Sequence, residues 1–146
     1  MEIISPIHGK MEYNESEILT FEKGIPGFQD LKKFIIKEVS SESPFSVMQS
    51  IEDKYIGFII ISPFLIDDKY EIKLSDEIIK SLDIENSEDV LLYTIVTLKE
   101  KIEYITTNLK APIVINTKKN KCEQYILDSE KYKIREKVLN KVNDLK

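Results

Sequence analysis

The stretch PFSVMQSIEDKYIGFIII, residues 44–61, contains two runs of apolar residues on either side of a short polar segment. Phenylalanine, valine, tyrosine and isoleucine favour the pleated, half-buried surface of a β-sheet. Glu52, Asp53 and Lys54 separate the two runs with residues that are typical of a turn. The stretch therefore predicts an antiparallel hairpin with strands over residues 45–51 and 55–61.

The same composition recurs along the rest of the chain. Further strands are predicted over residues 2–5, 16–21, 33–38, 90–98, 102–107, 112–117 and 122–127. Most gaps between them are too short for a crossover helix, and turns at residues 99–100 and 118–120 predict two more hairpins. The predicted fold class is mainly β: an antiparallel, curled sheet that forms a small barrel-like or sandwich domain with one or two short helices.

Two segments have helical patterns. In LSDEIIKSLDI, residues 74–84, Ser75 is a suitable N-cap before acidic residues of a first turn. After Tyr132, four apolar residues recur at helical spacing and form one stripe: Ile134, Val138, Val142 and Leu145. We therefore divide the chain into a single β-rich domain over residues 1–131 and an amphipathic C-terminal helical tail over residues 132–146.

The segment FEKGIPGF, residues 21–28, places two glycines and a proline between two aromatic residues. Gly24 and Gly27 can adopt backbone angles that other residues resist, and Pro26 fixes its own φ. The segment thus predicts a sharp turn anchored by Phe21 and Phe28 in apolar surroundings, with FQDLKK beginning a short helical turn. It lacks the G-x-x-x-x-G-K-[ST] spacing of a phosphate-binding loop.

Residues for catalysis or metal binding are scarce. His8 and Cys122 are the only histidine and cysteine, which excludes a His-based catalytic triad, a zinc cluster and an internal disulfide. We predict no enzyme activity, no metal and no cofactor. The longest apolar run is broken at Pro63 and is too short to span a membrane, and the N-terminus lacks the pattern of an export signal. A cytoplasmic protein with no membrane partner is expected.

The charge is distributed unevenly. Residues 1–98 carry 9 Lys and Arg against 19 Asp and Glu, whereas residues 99–146 carry 12 against 7. The overall acidity argues against direct binding to nucleic acid and indicates a small acidic domain that acts by binding a partner, which the residues alone do not name. The alternative is a nucleic-acid-binding β-barrel that uses the lysine-rich hairpin at residues 118–121 with Tyr104 and Tyr125 as a stacking platform.

Four segments in order resemble the signature blocks of the FliW family of flagellar assembly factors. They are ILTFEKGIPGFQDLKKFII (residues 18–36), PFSVMQSIEDKYIGFIIISPF (44–64), EDVLLYTIVTL (88–98) and TTNLKAPIVINTKKNKCEQYIL (106–127). The residues that we assign to the structural motif of the family are Phe21, Gly24, Ile25, Pro26, Gly27, Phe28, Gln49, Asn108, Leu109 and Pro112. The tail after about Tyr132 lies beyond these blocks.

The resemblance implies a cytoplasmic protein with two competing partners, which is expected to be a monomer when free. One partner is flagellin, held before its secretion. The other is CsrA, an RNA-binding regulator that represses translation of flagellin messenger RNA. In the implied switch, accumulated flagellin occupies the FliW-like protein and CsrA is released; after flagellin export, the free protein captures CsrA and translation resumes.

Two surfaces are predicted to contact these partners. The terminal segments of flagellin are amphipathic helices, for which the required surface is an apolar groove; Phe64, Leu65 and Ile66, which follow Pro63 without strand alternation, are predicted to form its rim. Acidic residues are predicted to attract basic CsrA. These are Glu52 and Asp53, which we expect to be exposed at a hairpin tip, and Asp67, Asp68 and Glu71.

Overall fold

A computed structural model describes residues 1–138 of the chain, which form eleven strands and one α-helix. The strands are β1 (Glu2–Ser5), β2 (Gly9–Glu12), β3 (Leu19–Thr20), β4 (Lys33–Glu38), β5 (Phe45–Ser50), β6 (Gly57–Ile61), β7 (Val90–Thr97), β8 (Thr106–Thr107), β9 (Ile113–Asn116), β10 (Lys121–Gln124) and β11 (Glu136–Lys137). The helix α1 is Asp76–Ser81. Short 3₁₀ helices are Glu15–Glu17, Pro63–Leu65, Ser87–Asp89 and Ile102–Tyr104.

Seven strands close into a barrel in the order β7-β6-β5-β4-β3-β10-β9 and back to β7. Closure depends on β7, whose residues 90–93 pair with β9 while Thr94 and Ile95 pair with β6. All neighbouring strands are antiparallel except β3 and β10, which pair in parallel at Thr20 and Lys121. The predicted mainly β fold with a barrel-like sheet is confirmed, and the hairpin predicted over residues 44–61 is β5–β6.

Alternating side chains of the barrel strands are buried on both faces. Phe34 of β4 and Met48 of β5 point into the barrel, where they pack with Phe21, Ile60 and other apolar residues. Ile35 and Val47 lie on the opposite face of the same strands, under the separate β1–β2 hairpin. A third cluster below the barrel packs α1 and the C-terminal segment against β6, β7 and β9. The candidate site described below lies beside this third cluster.

Two strand predictions need correction, and one strand was missed. Residues 16–21 form a 3₁₀ helix followed by the short β3, because the Asn14 N–H donates to the Glu17 carboxylate (3.4 Å) and begins a helical turn. Residues 102–107 likewise divide into a 3₁₀ helix and β8, so the β7–β8 connection is longer than the predicted two-residue turn. The strand β2 was not predicted, since its sequence GKME is mostly polar.

The helical prediction for the C-terminal tail is wrong for residues 132–138. β11 pairs with β8, the Leu109 N–H donates to the Lys133 carbonyl, and the Val138 N–H donates to the Ile105 carbonyl. One edge of β8 has main-chain N–H and carbonyl groups that β7 does not pair. The tail forms its main-chain hydrogen bonds with these groups and is therefore extended. Ile134 is exposed whereas Val138 is buried, so the predicted stripe is divided. Val142 and Leu145 lie outside the described residues.

Candidate functional site

The candidate site is an apolar groove of about 630 Å³ at the side of the barrel. It lies between the 3₁₀ helix Pro63–Leu65, the extended residues 71–74, helix α1 and the first residues of β7. Its apolar lining includes Phe64, Ile72, Leu74, Ile79, Ile84, Leu91 and Leu92. Phe64 is 48% exposed and Leu91 is 42% exposed, and both border the same contiguous apolar lining. The groove therefore presents accessible apolar surface.

Helix α1 forms one wall because both of its ends are fixed. The Ile78 N–H donates to the Ser75 hydroxyl, which caps the helix as the sequence predicts. At the other end, Asp83 has a φ of 53° and turns the chain, so that the Ile84 N–H donates back to the Ile79 carbonyl. The Asn116 amide of β9 donates to the carbonyls of the two residues that follow the helix (2.7 and 3.1 Å). Ile79 and Ile84 are thereby held at the groove.

A column of three aromatic rings supports the opposite wall. Phe64 meets Tyr70 edge-on with centroids 5.8 Å apart, and Tyr70 packs against Tyr132 at 4.5 Å. The Tyr70 hydroxyl donates to the Leu109 carbonyl (2.7 Å), and the Tyr132 hydroxyl pairs with both the N–H and the carbonyl of Glu71. Burial, with the neighbouring Tyr132, raises the pKa of Tyr70 above its usual value, so its hydroxyl remains a donor. The C-terminal segment thus fixes the wall on which Glu71 stands.

The amino-acid sequence shows a clear relationship to known proteins. The profile of the FliW protein family matches residues 2–138. A flagellar assembly factor FliW of Clostridium novyi (strain NT) is 50% identical over 135 residues, which cover 92% of this chain and 94% of that protein. The chain belongs to the FliW family. A second relative, the flagellar assembly factor FliW of Clostridium botulinum (strain Okra / Type B1), is 48% identical over 92% of this chain and 94% of its own.

The fold agrees with this assignment. A crystal structure of the flagellar assembly factor FliW has a TM-score of 0.86 to this chain at 38% identity, and the match covers 94% of this chain and 96% of that one. The family match extends to residue 138 and so includes β11 and the first part of the tail. The FliW fold therefore includes part of the segment that the sequence blocks alone had left out.

The predicted rim of the FliW groove is only partly accessible. Phe64 lies on the rim and lines the groove. Leu65 is half-buried against the cluster below the barrel, and Ile66 is 2% exposed within that cluster, which leaves it no surface for a partner. Sequence reasoning missed Ile72, Leu74 and Leu91. Two features of the sequence could have indicated them. Ile72 and Leu74 alternate with charged residues in EIKL, and Leu91 is one of two adjacent leucines in VLLY, of which only one can face the core.

Of the three predicted acids that follow the rim in sequence, one lines the groove. The Asp67 carboxylate accepts from the Lys69 N–H (2.9 Å) and shapes the turn. Asp68 is exposed, and Glu71 lines the groove with an exposed side chain. Glu71 is therefore the member of this set that stands directly at the candidate site.

The acidic hairpin tip has a structural role that the sequence did not predict. The Glu52 carboxylate accepts from the N–H groups of Lys32 (2.6 Å) and Lys33 (2.8 Å), at the start of β4. The Asp53 carboxylate accepts from the Tyr55 N–H (3.0 Å) within the turn. Glu52 thus ties the β5–β6 hairpin to the start of β4, a few residues after the GIPGF segment.

We expect Glu52→Ala to lower the free energy of unfolding by about 1–2 kcal/mol, because it leaves two N–H groups without their charged acceptor. Urea denaturation of the variant measures this loss. Glu42→Ala is the control, since Glu42 is exposed and makes no side-chain hydrogen bond or ion pair among residues 1–138. Equal midpoints for the two variants would contradict a structural role for Glu52.

The GIPGF turn forms largely as predicted. Gly24 and Gly27 have φ values of 70° and 88°, and Phe21 is fully buried edge-on to Phe34. Phe28 departs from the prediction, since it is 37% exposed and only its edge contacts Phe58. Instead of a helical turn, the residues after it form a single β-turn closed by the Leu31 N–H and the Phe28 carbonyl. Ile25 is buried and Pro26 is exposed at the tip.

The other motif residues also hold main chain in place. The buried Gln49 amide donates to three carbonyls of its own hairpin. The Asn108 side chain accepts from the N–H groups of Lys110 and Ala111, which shapes an irregular turn between β8 and β9. Leu109 is buried, and the Pro112 carbonyl accepts from the Tyr125 N–H. These residues build the scaffold and do not line the groove.

The lysine-rich hairpin is partly neutralised. Lys121 contacts Asp83 at 2.6 Å, and Lys119 contacts Glu85 at 3.5 Å. The hydrogen bond from Lys121 lowers the pKa of Asp83, which keeps that carboxylate ionised. The Tyr125 hydroxyl donates to the Lys73 carbonyl (3.4 Å) and is directed towards the protein. This arrangement leaves the predicted stacking platform with little unpaired positive charge for nucleic-acid phosphates.

The remaining candidate reactive groups are not assembled into a site. Cys122 is buried inside the barrel, and burial raises the pKa of its thiol, which disfavours the reactive thiolate. Among the described residues there is no group of three or more His, Cys, Asp or Glu that could hold a metal ion. No helix within residues 1–138 has the length and apolar character needed to cross a bilayer.

Proposed function

We propose that this chain is a cytoplasmic, non-catalytic binding protein that holds flagellin and CsrA in alternation. Its membership of the FliW family, whose matched relatives are named flagellar assembly factors, supports a role in flagellar assembly. The observation that carries the proposal is the groove, in which exposed Phe64 and Leu91 stand beside a wall fixed by α1. A groove of this kind suits the apolar face of an amphipathic helix.

The flagellin part of the proposal concerns this groove. Terminal helices of flagellin that are not yet assembled have an apolar stripe exposed to water, and burying that stripe in the groove shields it. Leu91 and Phe64 are partly exposed in the free protein, so both would lose contact with water in the complex. The proposed complex therefore protects flagellin before secretion.

The CsrA part concerns the acidic surface. An RNA-binding protein has a basic surface, and a complementary acidic field increases its rate of encounter with this chain. Negative charge held beside the RNA-binding surface also disfavours RNA phosphate. Capture of CsrA then relieves repression of flagellin translation, and occupation by flagellin releases CsrA.

Substitution in the groove tests the flagellin part. We expect Leu91→Gln to weaken the complex with flagellin by about tenfold, since it removes apolar surface and also places an amide without hydrogen-bond partners in the covered groove. The control is Leu98→Gln, which changes an exposed leucine just beyond the other end of β7. Isothermal titration calorimetry measures both affinities. Equal weakening by the two substitutions would place flagellin elsewhere, and failure of the unsubstituted protein to bind flagellin or CsrA at micromolar concentration and low salt would refute the function.

The nucleic-acid alternative has a separate measurement. In a gel-shift titration with flagellin leader RNA, we expect no shift from this protein alone and release of RNA from CsrA on its addition. A shift by the protein alone would instead favour the alternative. The pairing of Lys119 and Lys121 with acidic residues supports the first outcome.

A further inference from the structure

The net negative charge of the protein is concentrated in the segment that builds the groove. Residues 67–89 contain nine Asp and Glu and three Lys, a balance of −6. The whole chain has 26 acidic and 21 basic residues, so the rest carries 17 against 18, a balance of +1. The segment supplies the extended wall, α1 and the 3₁₀ helix before β7. The segment that supplies most of the groove lining therefore carries the net negative charge of the chain.

Most of these carboxylates make no ion pair. Asp83 and Glu85 are paired with Lys121 and Lys119 of the β9–β10 hairpin, and none of the other seven has an ion pair among residues 1–138. Glu71 and Glu85 stand on the lining itself, with Lys73 as the one basic residue there. Glu88 is exposed next to Ser87, which also lines the groove. The result is an apolar floor with a predominantly acidic rim.

We propose that the groove selects an amphipathic helix whose apolar stripe is flanked by lysine or arginine. This inference rests on the proposed function, which assigns the groove to an amphipathic partner helix, and adds the charge that the partner must carry. Burial of the stripe on the floor supplies affinity for any apolar helix. Discrimination comes from the rim, because acidic flanks on the ligand would be placed beside like charge.

Two model peptides test the selection directly. They share one leucine and phenylalanine stripe at helical spacing and differ only in their flanks, which carry lysine in one and glutamate in the other. By fluorescence anisotropy at about 0.02 M salt, we expect the lysine peptide to bind about tenfold more tightly, a difference of ~1.4 kcal/mol. At about 0.5 M salt the preference should fall by at least half on a logarithmic scale, since exposed charges are screened.

Charge reversal locates the selection. The double variant Glu71→Lys with Glu88→Lys should abolish or invert the preference, because Glu71 is exposed on the groove lining and Glu88 is exposed next to the lining residue Ser87. The matched control, Glu42→Lys with Glu100→Lys, makes the same change in net charge at exposed positions outside the groove lining and should keep most of the preference. Leu91→Gln should weaken both peptides alike, since it alters the floor without changing charge.

The possible outcomes separate this inference from the proposed function. Equal binding of the two peptides, or equal effects of the two charge reversals, overturns the inference even if flagellin binds through Leu91. Selection of the lysine peptide with no complex between this protein and flagellin supports the inference and refutes that function. A dimer in sedimentation velocity that Leu91→Gln dissociates would show that a second copy covers the groove, and would overturn the inference.

Discussion

Gly24→Ala should lower the free energy of unfolding by at least about 3 kcal/mol. The φ of Gly24 is 70°, where an L-residue costs about 1–2 kcal/mol. An added Cβ would also stand 2.5 Å from the Cα and the carbonyl oxygen of Gln29. These atoms belong to the main chain of the same turn, so relief requires the whole GIPGF segment to move. Urea denaturation with a constant m-value measures the loss.

Gly27→Ala is the matched control for this prediction. Gly27 also has a positive φ, of 88°, but a Cβ there would have no atom within 4 Å. It should therefore pay only the conformational cost, about 1–2 kcal/mol. If the two substitutions lower the free energy of unfolding equally, the close approach of Gln29 does not contribute to the loss. The turn would then be able to adjust to the added Cβ.

Sequence patterns predict the elements of this fold that form within one short stretch of chain. The β5–β6 hairpin and α1 follow from alternation, turn residues and Ser75, all within one stretch of chain. Closure of the barrel is different, because it joins β7 to β9 and β3 to β10 across long sequence separations. No residue within these strands identifies the strand with which it pairs. The sequence therefore could not distinguish a closed barrel from a sandwich.

The tail shows how tertiary pairing overrides a periodic pattern. The spacing of Ile134 and Val138 fits a helix, yet Val138 is buried beside β8 while Ile134 faces water. Tyr132 decides the path of the segment by packing on Tyr70 and bonding to the main chain of Glu71. The spacing of a few apolar residues does not indicate which neighbouring elements they will pack against.

Of the residues that line the candidate groove, Phe64 and Glu71 were predicted to contact a partner, Phe64 because an apolar residue outside any alternation is visible in sequence. The other apolar lining residues come from separate segments and resemble ordinary core residues when each segment is taken alone. Glu52 is exposed as predicted, but its structural role was missed for a related reason. An acid at a hairpin tip is usually exposed, and only the packing of β4 beside that tip gives its carboxylate two N–H partners.

Gln49→Glu should destabilise the protein by about 3 kcal/mol or more near pH 7. Gln49 is 1% exposed, and its Nε2 donates to the carbonyls of Ser50 (3.1 Å), Lys54 (3.2 Å) and Ile56 (3.0 Å). The substitution keeps the size of the side chain but places an ionised acceptor against three carbonyl oxygens. Removing the donor takes one hydrogen bond from each of the three carbonyls, and a buried charge without a partner adds a larger cost.

The loss should depend on pH in a defined direction. Burial among carbonyls disfavours the ionised form, so the pKa of the introduced carboxyl in the folded state should lie above its value of about 4.3 in the unfolded chain. Between those two values the folded state holds a proton that the unfolded state has released, and stability therefore falls as pH rises. The variant should be nearest to the parent protein at or below about pH 4.3 and most impaired above the raised pKa.

Urea denaturation of the parent and the variant between about pH 4 and pH 8 measures this difference. Gln49→Leu is the control, because it removes the same donors without adding a titratable group, and its deficit relative to the parent should not change with pH. A pH-independent deficit for Gln49→Glu would mean that the introduced carboxylate reaches water. The hairpin tip would then open without disturbing the barrel. The two hydrogen bonds from the start of β4 to Glu52, at the same tip, would in that case hold the tip less firmly than their lengths imply.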